Sequence, residues 1–136
     1  MEHGWRGGMR IALALLLFIH GFAHLIGFVG PWRLARAVPY KTTLFADAVD
    51  VGDAGIRMVG LLWLVLAVAF GTVSVAAFAR WDWWLPCALA VSVASLVMCA
   101  AGWPEAKIGV AVNAALIALL WLARTAGWFV AGGGHA

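Results

Sequence analysis

Four stretches of this chain, at about residues 11–30, 56–79, 83–102 and 106–123, are apolar over nearly their whole length. Each is long enough, at 1.5 Å of rise per residue, to cross the hydrocarbon core of a bilayer as a helix. A helix that is apolar all round has no face to offer water. The rest of the chain cannot compensate: of 136 residues, 65% are hydrophobic and 11% charged, with a mean hydropathy of +0.99. A soluble domain of this size needs polar residues to cover its outside. The expected fold class is therefore all-α, an integral membrane four-helix bundle forming one transmembrane domain over residues 1–136.

The connections order the bundle. Arg6 and Arg10 precede the first span. Ala35-Arg36-Ala37 loosely resembles a cleavage site, but the apolar run before it is too long for the hydrophobic region of a signal peptide, so a retained span is expected. Residues 31–55 carry Arg33, Arg36, Lys41, Asp47, Asp50 and Asp53, with Pro31 and Pro39 as helix breakers, and form the one long loop. Asp53 stands where an N-cap or first-turn acid would open the second span. Arg80-Trp81-Asp82 and Trp103-Pro104-Glu105 make short turns, with Pro104 suited to the first turn of the last helix. Spans two, three and four are then sequential antiparallel neighbours. Gly132-Gly133-Gly134 marks the end of helical order.

Of nine tryptophans, Trp5, Trp32, Trp81, Trp83, Trp84, Trp103 and Trp128 fall near predicted helix ends, as in an interfacial aromatic belt, whereas Trp63 and Trp121 lie deeper. Cationic residues divide four (Arg6, Arg10, Arg80, Arg124) against five (Arg33, Arg36, Lys41, Arg57, Lys107) across the membrane, and only the flanks of the first helix favour cytoplasmic termini. The net charge of +3 is too small and scattered for a nucleic-acid footprint. Partners are expected to be the lipid bilayer and either a larger membrane protein or further copies of the chain. Cys87 and Cys99, about 18 Å apart along one helix, cannot bridge each other, and no CxxC is present.

The residues most suggestive of chemistry are His20 and His24 in His20-Gly21-Phe22-Ala23-His24. Their spacing puts two imidazoles on one helix face, continued by Gly27. Ionisable groups within a span are costly and turn inward to pair, bind or relay protons. An unpaired buried polar group costs roughly 2–7 kcal/mol, so each ring is expected to meet a polar partner. Asn113 is the preferred one, with Thr72 and Ser92 as further candidates, and Asp50 or Asp53 as a carboxylate partner reaching His24 from the loop.

Several readings of the pair stay open. The two rings can be structural, hydrogen-bonded across the bundle. They can line a polar pocket for a lipophilic ligand such as a quinone, with an imidazole bonded to a carbonyl. They can supply two ligands of a metal ion, which would need more from Met98, Cys99 or an aspartate. Bis-histidine haem is disfavoured, since its axial ligands come from opposite faces and no other span contains a histidine. Asp47, Asp50 and Asp53 would form an acidic stripe if that stretch were helical, and Asp53 with Arg57 reads as an i,i+4 pair. Glycines 60, 71 and 109 read as points of close helix packing. No P-loop, serine-triad or zinc-protease signature is present.

His20-Gly21-Phe22-Ala23-His24-Leu25-Ile26-Gly27-Phe28, together with Trp103-Pro104-Glu105-Ala106-Lys107-Ile108-Gly109 and Asn113, resembles a group of small uncharacterised bacterial four-helix membrane proteins. More loosely, the first helix and the long loop after it are similar to the DoxX-like family, some of whose members are associated with quinone-linked oxidoreduction. Where that family tends to carry lysine after HGxx, this chain has His24. The resemblance implies a multi-pass protein of the bacterial plasma membrane with a redox-associated ligand. A non-enzymatic accessory or scaffolding subunit is the alternative, and whether the chain is an enzyme stays open.

Overall fold

The computed structural model describes residues 2–129 and is almost wholly helical. The first apolar stretch becomes α1, Glu2–Ala23, followed at once by the short α2, Leu25–Val29. The helix starts well before residue 11: residues 2–10 hold no proline, and Gly4, Gly7 and Gly8 do not interrupt it. The other apolar stretches become α3 (Gly52–Phe78), α4 (Trp84–Ala101) and α5 (Lys107–Thr125). Four helical segments, counting α1 and α2 as one, are long and apolar enough to cross a membrane. The glycine run 132–134 lies outside the described residues.

Two connections depart from expectation. Pro104 stays in the turn before α5 rather than entering its first turn. The loop at 31–55 is not open chain: β1 (Thr43–Leu44) pairs antiparallel with β2 (Val49–Asp50), with Thr43 opposite Asp50. The chain leaves this hairpin through Gly52, whose φ of +65° suits a residue without Cβ, and whose N–H donates to the Asp50 carboxylate at 2.9 Å. Asp53 does occupy the first turn of α3, after Val51 as N-cap.

In the bundle α1 packs on α3, α3 on α4 and α4 on α5, with α2 also against α3. The backbones of α1 and α5 approach each other much less closely. All four long helices meet in one core at the end away from the hairpin, where Leu13, Ala14 and Leu17 of α1 pack with Phe70, Val73, Trp84, Ala88, Leu116 and Leu120. Ser74 adds an interhelical bond, its hydroxyl donating to the Ala14 carbonyl at 2.7 Å. Trp84 is therefore a core residue, packed on Phe129, rather than a member of the aromatic belt. One turn beyond Leu17 the core gives way to His20, and toward the hairpin the α1–α5 seam opens.

Candidate functional site

The site begins with a change in the hydrogen-bond ladder of the first helix. The N–H of His24 donates to the Gly21 carbonyl at 3.1 Å, one residue short of the α-helical acceptor, and Gly27 donates to the His24 carbonyl at 3.0 Å. This tightened turn separates α1 from α2 and leaves the His20 carbonyl free of its α-helical donor. The His24 side chain takes the vacancy, its Nδ1 donating to the His20 carbonyl at 2.8 Å. With the proton on Nδ1, Nε2 of the neutral ring is an acceptor, and the Ser95 hydroxyl of α4 donates to it at 2.6 Å.

His20 bonds in the opposite sense. Its Nε2 lies 3.2 Å from Oδ1 of Asn113 on α5. The orientation of that amide follows from its other contacts: Nδ2 donates to the Gly109 carbonyl at 2.8 Å and reaches Cys99 Sγ at 3.5 Å. A carbonyl only accepts, so the amide nitrogen faces Gly109 and the oxygen faces His20. His20 Nε2 therefore carries hydrogen and donates. No carboxylate pairs with either ring among the described residues. An uncompensated buried charge is costly, so both imidazoles are read as neutral.

Aromatic rings fix the pair from the α3 side. The two imidazoles meet edge to face at 4.6 Å between centroids, Phe70 sits 5.0 Å from His20 and 5.2 Å from His24, and Trp63 lies 5.1 Å from His24. Glycines make this approach feasible. A Cβ on Gly21 would fall 2.5 Å from Phe70 Cβ, and one on Gly27 2.5 Å from Trp63 Cγ. The same tactic joins α4 to α5, where a Cβ on Gly109 would lie 2.6 Å from Cys99 Sγ.

Beside the pair is a cavity of about 620 Å³, walled by His20, His24, Trp63 and Cys99, with Lys41, Thr43 and Glu105 at one end and apolar residues over most of the rest. Leu16, Ile19, Ile26 and Ile108 line it while being exposed on the outside of the bundle, so its mouth lies along the α1–α5 seam. The hairpin roofs it. Phe45 and Ala46 donate backbone N–H groups to the carbonyls of Ala101 and Trp103, each at 2.8 Å. Lys41, on the cavity rim, holds Asp47 and Glu105 at 2.8 Å each. The bond to Asp47, then that to Glu105, raises the lysine above its ordinary value, and Lys41 in turn holds both carboxyls below theirs.

Of the residues singled out from the sequence, His20, His24 and Asn113 come together; Asn113 stands behind His20 rather than on the cavity wall. Asp50 and Asp53 do not reach them. Both are engaged within the loop and its borders: Asp50 binds the Gly52 N–H, and Asp53 accepts from the Tyr40 hydroxyl and lies 3.8 Å from Arg33. Asp47, Asp50 and Asp53 therefore form no helical stripe, and Asp53 pairs with Arg33 instead of Arg57. Thr72 bonds its own Val68 carbonyl, and the Ser92 hydroxyl is buried without a partner among the described residues. The partner that sequence reasoning missed is Ser95, which shares a face of α4 with Ser92 and Cys99 at spacings of three and four residues. No group of three or more His, Cys, Asp or Glu side chains with metal-binding geometry occurs among the described residues.

No protein-family model, curated protein or solved structure matches this chain.

Proposed function

We propose that this chain is a multi-pass protein of the bacterial plasma membrane that holds a lipophilic small molecule with a polar head, of the quinone and quinol class, in the cavity beside His20 and His24. Membrane residence is supported by the outward faces of the helices, where Phe22, Val68, Val97 and Ile108 are each more than 60% exposed. Contiguous apolar surface of that kind marks a membrane or an apolar partner. The observation that carries the ligand reading is the mouth of the cavity. It opens sideways through exposed aliphatic residues, with His20 and His24 on a largely apolar wall and Lys41, Thr43 and Glu105 at the hairpin rim. A bilayer-dissolved molecule could enter by that route without crossing water, and a single polar contact would orient it.

The metal reading has less support, because two imidazoles already bonded to Ser95, Asn113 and a backbone carbonyl offer few free lone pairs and no third ligand stands near. Native mass spectrometry of gently extracted protein tests the proposal. A small lipophilic species should be retained by the wild type and lost from Ala23→Trp, whose indole would enter the cavity. Equal retention by both proteins, or none by either, contradicts it.

A further inference from the structure

The four ring nitrogens of the pair do not offer the same chemistry to a ligand, and three are already committed. His24 Nδ1 donates to the His20 carbonyl, His24 Nε2 accepts from Ser95, and His20 Nε2 donates to Asn113. The fourth, His20 Nδ1, has no hydrogen-bond partner among the described residues. It is also not sealed in: the fully buried side-chain nitrogen and oxygen atoms without a partner are Arg6 Nε and Ser92 Oγ. His20 lines the cavity, and we assign its unsealed Nδ1 to that wall. In the tautomer that Asn113 enforces, that nitrogen is a bare lone pair.

We infer that the cavity selects a ligand presenting a hydroxyl to His20 Nδ1, a lipophilic phenol or hydroquinone rather than the corresponding carbonyl compound. The inference rests on the cavity being the ligand site, as proposed above, and reverses the polarity of the imidazole-to-carbonyl contact expected from the sequence. A carbonyl oxygen would meet the lone pair with its own, whereas a hydroxyl would satisfy it. The opposite tautomer is closed off. With hydrogen on Nδ1, the lone pair of Nε2 would face Asn113 Oδ1, and turning the amide would set Oδ1 against the Gly109 carbonyl. Donors at the rim are turned toward carboxylates: Lys41 uses two of its three N–H groups on Asp47 and Glu105, and the Thr43 hydroxyl donates to Asp47. Asn113 is thus a positioning residue, acting on the ligand through the tautomer of His20.

The test compares three probes on the full chain in lipid nanodiscs: a decyl-tailed benzohydroquinone kept reduced under anaerobic conditions, its benzoquinone, and its dimethyl ether, each corrected for partition into empty discs. The hydroquinone should bind about tenfold more tightly than either of the others, the scale of one well-placed hydrogen bond. A benzoquinone or ether that binds as tightly as the hydroquinone overturns the selectivity while leaving the cavity a ligand site. Failure of all three to bind saturably overturns both readings. Nitrogen-15 NMR of histidine-labelled wild-type protein needs no variant to fold. The Nδ1 signal of His20 should fall in the unprotonated range and move when the hydroquinone is added. A protonated Nδ1 in the free protein contradicts the inference.

Discussion

His24 Nδ1 donates to the backbone carbonyl of His20 at 2.8 Å, and that bond exists because the His24 N–H has turned to Gly21 instead. The local tightening of the helix and the protonation pattern of the site are therefore one feature. Moving the main-chain donor by one residue frees a carbonyl, the carbonyl accepts the hydrogen bond of the Nδ1–H group, and the other ring nitrogen is left to accept from α4. Asn113 and Ser95 hold the two imidazoles from different helices in opposite senses.

Two serines on the same face of α4 are expected to respond differently to removal of the hydroxyl. Ser95→Ala strips the donor from a buried acceptor and should lower stability by roughly 1–3 kcal/mol. Ser92→Ala removes a buried hydroxyl that has no partner among the described residues, and should be neutral or mildly stabilising. Thermal unfolding of both variants in one detergent decides the matter, and equal losses would contradict the pairing of Ser95 with His24.

Glycine positions make a similar contrast. A methyl at Gly27 has to displace the Trp63 indole, and Gly27→Ala should cost about 1–3 kcal/mol. Nothing lies within 4 Å of a Cβ at Gly71, so Gly71→Ala should stabilise α3 by up to about 1 kcal/mol through helix propensity. The same unfolding measurement checks the pair, with Gly27→Ala as stable as the parent being the contrary result.

The Lys41 clamp sets the pH range over which the hairpin stays down. Asp47 and Glu105 have values depressed by Lys41, so their contribution is complete above the ordinary carboxyl values of 3.8 and 4.5 and is lost as pH falls through the lower folded values. Lys41 is raised, so its contribution is complete below 10.5 and is lost as pH rises through the higher folded value. Amide exchange across residues 43–50, corrected for its intrinsic pH dependence, should show constant protection between about 5 and 10 and lose it at either extreme. Lys41→Met should lower protection within that plateau. A flat profile in both proteins would show that the clamp does not hold the hairpin.

Membrane insertion predicts a mismatch between exposure and reactivity. Phe18, Val68 and Val93 lie on the outer surface of the bundle. Cysteines placed there, with Cys87 and Cys99 replaced by alanine, should resist membrane-impermeant thiol reagents in intact membranes, while one at exposed Ala46 in the hairpin should react when its side of the membrane is presented. Labelling of all four at similar rates would rule out a bilayer around the bundle.

The helices were legible because long apolar runs admit few alternatives, and His20 with Asn113 was legible for a related reason: strongly polar side chains well inside a span have to find each other. Ser95 was harder to see. A serine hydroxyl can satisfy itself on its own helix, as Thr72 does with the Val68 carbonyl, so its presence demands no partner. Asp50 and Asp53 were misplaced because partners in the loop outcompete the distant histidines: Asp50 has the Gly52 N–H two residues on, and Asp53 has Tyr40 and Arg33. Nor did Trp84 announce its burial, since a tryptophan beside Trp81 and Trp83 at a helix end looks interfacial until Phe129 is packed on it. The cavity depends on how far α1 stands from α5, a tertiary distance with no local signature.

Photoaffinity labelling tests most directly whether a lipophilic ligand occupies that gap. A decyl-tailed hydroquinone bearing a photoactivatable group would be irradiated with the protein in nanodiscs and its adducts mapped by peptide sequencing. Adducts should concentrate at residues 16–27 of α1 and α2 and at residues 106–112 around the start of α5, and be suppressed by excess unlabelled hydroquinone and by Ala23→Trp. Adducts spread over the outer faces of α3 and α4 and indifferent to competitor would contradict occupancy of the gap.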